Sequence, residues 1–113
     1  MNKTLILMIA LLFSAPGFAK GDASAGAEKA KTVCAACHGA DGNTPMIPGS
    51  PRLAGQRYDY LVHSLKQYKS GIRKNPIMAG QAQALSQTDI ENVSAYFSEL
   101  PGSLHIILEG RTR

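Results

Sequence analysis

The sequence contains no tryptophan, few other aromatic residues and only two cysteines among its 113 residues. Two cysteines allow at most one disulfide within the chain, and with one adjacent histidine they supply fewer ligands than a structural zinc site usually has. The longest apolar run, Leu5–Phe13, has nine residues, whereas a membrane-spanning helix needs roughly 20. No second apolar run of spanning length follows it, so we expect no membrane span in the mature chain.

The first 19 residues have the features of a secretory signal peptide. Lys3 supplies a positive charge, Leu5–Phe13 forms the apolar segment, and the small residues Gly17 and Ala19 precede the predicted cleavage site. The alternative is an uncleaved membrane anchor, which the shortness of the apolar run disfavours. We therefore expect residues 1–19 to be removed and the mature protein to function outside the cytoplasm.

The charge of the chain is small. The formal net charge is +4, and it falls further when Lys3 leaves with the signal peptide. Because this charge is weak and mostly scattered, the sequence gives no indication of nucleic-acid binding. One basic cluster stands out, and it comprises Lys66, Lys69, Arg73 and Lys74. It is either a solvated helix face or a docking patch for an acidic partner.

The segment Cys34-Ala35-Ala36-Cys37-His38 has the spacing of a c-type haem attachment site. Two thiols one helical turn apart match the two vinyl groups on one edge of a porphyrin, and the adjacent histidine can bind the iron. The alternatives are a disulfide, a redox-active dithiol or a zinc site. The dithiol is typical of a strand–helix–strand context that this sequence lacks. The segment therefore predicts one covalently bound haem c.

The spacing of apolar residues predicts an all-α fold. Helices are expected from residue 22 or 23 to residue 37, over 57–70 and over 86–100, with a short fourth helix over 81–85. Ser86 and Asp89 resemble a capping box at the start of the last helix. Glycine and proline predict loops over 39–55 and 72–80.

Taken together, these residues resemble the class I c-type cytochromes of the small bacterial periplasmic type, either one domain of a two-haem protein or a single-haem relative. The resemblance rests on the following stretches: Cys34–Gly39, Asp41–Asn43, Pro51–Gln56, Tyr60–Leu61, Tyr68–Arg73, Met78, Leu85–Ser86, Asp89–Ile90 and Ala95–Phe97. It implies a cytochrome c fold, with three to four helices packed around one covalent haem, over residues 20–102. Residues 103–113 form a tail without a family counterpart.

The resemblance also implies the roles of individual residues. Cys34 and Cys37 correspond to the thioether pair, and His38 to the proximal iron ligand. Met78 corresponds to the distal ligand, on the loop after the second long helix. Met46 also lies within reach of the iron by chain length, so it remains the alternative. Pro51 corresponds to the proline whose carbonyl accepts a hydrogen bond from the ligand histidine.

Several further residues have weaker assignments. The candidate neighbours of the haem propionates are Arg52, Gln56, Tyr60 and Arg73. His63 is expected to face solvent, and His105 is a remote competitor for the distal position. The pair Tyr96–Phe97 is expected to pack across the first helix near Gly26 and Ala30, where small residues permit a close crossing.

These features predict a periplasmic electron carrier and not an enzyme, because His/Met ligation leaves no open position on the iron. Its redox partners would be a membrane respiratory complex, a terminal oxidase or a dehydrogenase, and the protein would be a monomer or a weak dimer. One alternative is a haem-based gas or redox sensor, or a weak peroxidase, with a labile distal ligand. Another is a cytochrome subunit of a larger oxidoreductase.

Overall fold

The computed structural model describes residues 19–103. The expectations for the signal peptide, for the tail and for His105 therefore fall almost entirely outside the described residues. The described part contains helices and no strand, so the predicted all-α class is confirmed. None of its helices is long and apolar enough to cross a membrane. The helices are α1 (Ala23–Val33), α2 (Ala35–His38), α3 (Tyr58–Ser70), α4 (Pro76–Gln83) and α5 (Gln87–Glu99).

The first predicted helix is interrupted at Cys34. Asp22 caps α1 by accepting hydrogen bonds from the backbone amides of Ser24 and Ala25. Cys34 has φ −100°, which departs from the ordinary helical value. The amides of Cys37 and His38 then both donate to the carbonyl of Cys34, at 3.3 and 3.0 Å. The expected single helix is therefore two helices that meet at the first cysteine.

The helix α3 begins and ends close to its predicted bounds. Leu61 and Ser64 lie on its buried side, and His63 is exposed as expected. Gly71 ends the helix in the left-handed conformation, with φ 75°, which glycine adopts without steric cost.

The region after α3 differs from the prediction. The helix α4 begins at Pro76 and ends at Gln83, whereas a loop was expected over 72–80 and a short helix over 81–85. Asn75 caps α4, and its side chain accepts from the amides of Ile77 and Met78 at 3.1 and 3.0 Å. Pro76 occupies the start of the helix, where its missing N–H costs nothing. Met78 therefore lies in the first turn of a helix and not on a loop.

The helices α1 and α5 cross closely, as the small residues predicted. A Cβ added to Gly26 would lie 2.0 Å from the carbonyl oxygen of Asn92, so only glycine fits at the crossing. Ala30 and Phe97 are both 3% exposed and form a core cluster with Leu61. The predicted capping box at the start of α5 is present, because Ser86 and Asp89 each accept from the other's amide.

The loop over 39–55 is fixed to the rest of the fold at several points. The carbonyl of Gly42 accepts from the amides of Leu53 and Ala54, at 2.7 and 3.1 Å, and Gly55 donates to the carbonyl of Phe97 at 2.9 Å. These backbone hydrogen bonds place the intervening Pro51 beside α2.

Candidate haem site

His38 is held by a hydrogen bond to the proximal loop. Its Nδ1 lies 2.8 Å from the carbonyl oxygen of Pro51, and the residue is only 6% exposed. Because a carbonyl can only accept, Nδ1 carries the proton, and the lone pair of Nε2 is left to bind a metal. The contact expected between these two residues is thus present in the structure.

Cys34 and Cys37 are both free thiols and half-buried. They lie one turn apart at the junction of α1 and α2, next to His38. Burial raises the pKa of the Cys34 thiol to about 11, with a smaller contribution from nearby Cys37. The two sulfurs do not form a disulfide, and their placement beside the histidine fits the two thioethers of a c-type haem.

The two candidate distal methionines differ in their surroundings. The amide of Met46 donates to the carbonyl of Cys37 at 2.9 Å, which ties this residue to the proximal segment, and its side chain is 67% exposed. Met78 is half-buried in the first turn of α4. These surroundings favour Met78, which supplies a thioether sulfur from a separate helix.

The apolar face of α3 is incompletely covered by protein alone. Val62 and Leu65 are apolar residues of α3, but each is only half-buried. A haem is a large flat apolar body that would cover such side chains. The donor set of imidazole and thioether, the paired thiols and this partly uncovered face together fit a c-type haem.

A polar cluster joins the buried side of α3 to the segment that follows it. One guanidinium nitrogen of Arg73 donates to Ser64 Oγ at 3.2 Å and to the hydroxyl of Tyr60 at 3.4 Å. The same guanidinium lies 4.9 Å from the centre of the Tyr68 ring. The hydrogen bond from Arg73 lowers the pKa of Tyr60.

The other candidate propionate neighbours have different partners. Arg52 donates to the hydroxyl of Ser103 at 3.4 Å, and the side chain of Gln56 accepts from the amide of Arg57 at 2.9 Å. The structure therefore groups Arg73 with Tyr60, whereas Arg52 contacts Ser103. Sequence reasoning had missed Ser64, which is a buried serine on an otherwise apolar helix face.

The basic cluster of the sequence does not form a uniform surface. The ammonium group of Lys69 donates to the carbonyl oxygen of Leu85, and Arg73 is engaged as described above. Lys66 and Lys74 are exposed and have no hydrogen bond or ion pair within the described residues. Only these two remain unengaged for steering a partner.

Within residues 19–103, no three His, Cys, Asp or Glu side chains are grouped so that they could hold a metal ion. The zinc site considered from the sequence therefore has no ligand set in this part of the chain.

The sequence of the chain matches one protein family and several known proteins. The family described as Cytochrome c matches residues 23–101. Cytochrome c4 from Stutzerimonas stutzeri is 42% identical over 114 residues, which cover 92% of this chain and 53% of the relative. Cytochrome c-554(548) from Halomonas halodenitrificans is 46% identical over 69% of this chain and 95% of the relative.

A solved structure and a further relative extend these findings. The crystal structure of reduced recombinant cytochrome c4 from Pseudomonas stutzeri superposes with a TM-score of 0.67 at 43% identity, and the match covers 74% of this chain and 48% of that one. A thiosulfate dehydrogenase electron acceptor from Stutzerimonas stutzeri (strain A1501) is 42% identical over 67% of this chain and 32% of its own. The chain spans about half the length of the cytochrome c4 relatives that it matches.

Proposed function

The chain belongs to the cytochrome c family as a class I c-type cytochrome, and we propose that it carries single electrons on one covalently attached haem. Cys34 and Cys37 would form the two thioethers, with His38 as the proximal and Met78 as the distal iron ligand. A bound haem would supply a one-electron couple between ferric and ferrous iron. The predicted cytochrome c fold is confirmed by the family match and by the cytochrome c4 structure.

The observation that supports this proposal most strongly is the hydrogen bond between His38 Nδ1 and the Pro51 carbonyl. This bond fixes the tautomer of the imidazole and the plane of its ring, and it makes Nε2 a more basic ligand. The thiols on the same turn would hold the porphyrin so that the imidazole stays centred on the iron.

Filled axial positions are the reason to propose a carrier and not an enzyme. With His38 on one face and Met78 on the other, no iron position remains open for a substrate. A thioether ligand also raises the reduction potential. The protein therefore suits partners of fairly high potential, such as a terminal oxidase that accepts electrons from a membrane respiratory complex by way of this carrier.

We propose that residues 1–19 direct export to the periplasm, that 20–102 form the haem-binding domain and that 103–113 form a tail. The relative named a thiosulfate dehydrogenase electron acceptor makes a soluble or membrane dehydrogenase an alternative electron donor. It also keeps open a role as the cytochrome subunit of a larger oxidoreductase.

Arg73 is the favoured neighbour of a haem propionate. The hydroxyls of Tyr60 and Ser64 each accept a hydrogen bond from Arg73, so their own protons are left to donate to another acceptor. No carboxylate within the described residues forms an ion pair with Arg73. A cation beside two hydroxyl donors is the arrangement that a carboxylate group requires.

The visible spectrum of the purified holoprotein tests the proposed function. A low-spin spectrum with the weak sulfur-to-iron band at the red end of the oxidised form, and no binding of carbon monoxide to the reduced form, would support the carrier. A high-spin, five-coordinate spectrum would refute His/Met ligation and would favour the sensor or peroxidase. A redox titration in which each protein molecule takes up and releases one electron would support one haem per chain.

A further inference from the structure

The ends of α3 and α4 are joined by two hydrogen bonds that run in opposite directions. The ammonium group of Lys69, in the last turn of α3, donates to the carbonyl of Leu85 just beyond α4. In return, the side-chain amide of Gln83, the last residue of α4, donates to the carbonyl of Lys69 at 2.6 Å. We call this pair of contacts the α3–α4 clamp.

The two accepting carbonyls lie at or just beyond the carboxyl end of a helix, so each needs a hydrogen-bond donor from another element. The last carbonyls of an α-helix have no amide to accept from within that helix, and Lys69 lies in this position on α3. Leu85 follows the end of α4, and its residue is only 3% exposed, so water cannot readily replace the lysine. A positive charge near the carboxyl end of α4 is also favourable for the helix dipole.

The packing of α4 by itself is slight. Ala82 is the only buried residue of this helix, and Ile77 is 68% exposed. At its start, the helix is fixed by the cap of Asn75 on the amides of Ile77 and Met78. The position of Met78 therefore depends on what holds the two ends of α4 and only weakly on side-chain burial along it.

We propose that Lys69 is a positioning residue, which holds α4 through the clamp and so keeps the sulfur of Met78 on the iron. Gln83 acts in the same direction with one neutral hydrogen bond. This inference rests on the proposed role of Met78 as the distal ligand. It gives Lys69 an internal function, whereas its sequence suggested a role in steering a partner.

The test replaces Lys69 by methionine in the holoprotein, which shortens the side chain by only one heavy atom and removes its charge and its donors. Lys66→Met is the matched control, because Lys66 lies on the same helix, is exposed and makes no side-chain hydrogen bond or ion pair within residues 19–103. The first measurement is the temperature at which the sulfur-to-iron band disappears, compared with the temperature at which circular dichroism reports unfolding. The second is the rate of cyanide binding to the oxidised form.

For Lys69→Met, we expect the band to disappear clearly below the unfolding temperature and cyanide to bind at least about tenfold faster, because a hydrogen bond from a charged group has been removed. Lys66→Met should match the wild-type protein in both measurements. Gln83→Leu should shift both in the same direction by less, and it carries the test if Lys69→Met does not fold.

Equal behaviour of Lys69→Met and Lys66→Met would overturn the clamp proposal while leaving Met78 as the ligand. If the wild-type protein itself lacks the sulfur-to-iron band, the proposed His/Met ligation fails, and the positioning role of Lys69 fails with it.

Discussion

The two sides of the candidate haem site are built in different ways. On the proposed proximal side, His38 is 6% exposed, lies next to Cys37 and is hydrogen-bonded to Pro51 in a loop that backbone hydrogen bonds fix at several points. On the distal side, Met78 is half-buried on a helix whose only buried residue is Ala82. That helix is held mainly at its ends.

This difference indicates which bond yields first under stress. The proposed proximal ligand, His38, would be held by the thioethers beside it and by main-chain contacts that survive most side-chain substitutions. The proposed distal ligand, Met78, lies on a helix whose ends are held by a few side chains, chiefly Asn75, Lys69 and Gln83. We therefore expect the proposed bond from iron to Met78 to break while the proximal side stays intact, and four variants test this contrast.

The largest effect is expected from removing the covalent attachment. In the double variant Cys34→Ala/Cys37→Ala, the haem should extract completely into acid–acetone, because no thioether links it to the chain. The wild-type pigment should stay on the polypeptide, and so should that of the control His63→Ala, which alters an exposed histidine. Wild-type pigment that extracts would refute covalent attachment.

The next effect concerns the distal ligand. Met78→Ala should abolish the sulfur-to-iron band, allow cyanide or carbon monoxide to bind and lower the potential on the order of 100 mV, within the roughly 0.8 V that axial ligands span. Met46→Ala is the matched control and should leave the spectrum nearly unchanged. The reverse pattern, with the band lost only in Met46→Ala, would assign the distal position to Met46.

A smaller effect is expected from the polar cluster next to α3. Arg73→Gln should lower the potential by on the order of tens of millivolts, because a positive charge near the haem favours the ferrous form. Arg57→Gln removes the same charge from an exposed pair with Asp59, 3.1 Å apart, and should change the potential by much less. Equal shifts in redox titrations of the two variants would show that Arg73 has no special relation to the haem.

The smallest effect is expected from Asp41 in the proximal loop. Hydrogen bonds, chiefly from the amide of Thr44, lower the pKa of this exposed carboxyl. Its contribution to stability is therefore present above the unfolded pKa of about 3.9 and is lost as the pH falls through the lower folded value.

Asp41→Asn should accordingly lower the denaturant midpoint slightly at neutral pH, with the gap from wild type closing in acid. The sulfur-to-iron band should be unchanged, since the distal side is not involved. A gap that widens in acid would contradict the assigned sign of the pKa shift.

The parts of the fold that sequence predicted are those with a local or periodic signal. The capping box of Ser86 and Asp89 and the small residues at Gly26 and Ala30 gave correct expectations. The helix α4 was predicted with the wrong bounds, over 81–85 where the structure has Pro76–Gln83, because it has almost no apolar periodicity, although Asn75 and Pro76 carried a start signal. A pattern of side-chain types also cannot reveal the clamp, in which Lys69 reaches a backbone carbonyl 16 positions away.

The candidate site divides in the same manner. The spacing of the cysteines and the histidine in Cys34–His38 by itself predicts haem attachment. The hydrogen bond from His38 to the Pro51 carbonyl was predicted from the family resemblance. The grouping of Arg73 with Tyr60 and Ser64 needed the fold, because four possible neighbours carry equally suitable groups. Sequence identifies donors and charges, whereas the packing of helices selects which of them meet.

The close crossing of α1 and α5 has a consequence for the order of folding. The amide of Asp22 donates to the side chain of Asn92, 70 positions further along the chain, at 2.8 Å. Contacts between such distant segments form late, because a long loop must close before they are made. The cysteines at the end of α1 are thus complete in the growing chain well before α5 can dock. We expect the haem to be attached before α1 and α5 pack together, and the crossing at Gly26 to form afterwards and enclose the haem.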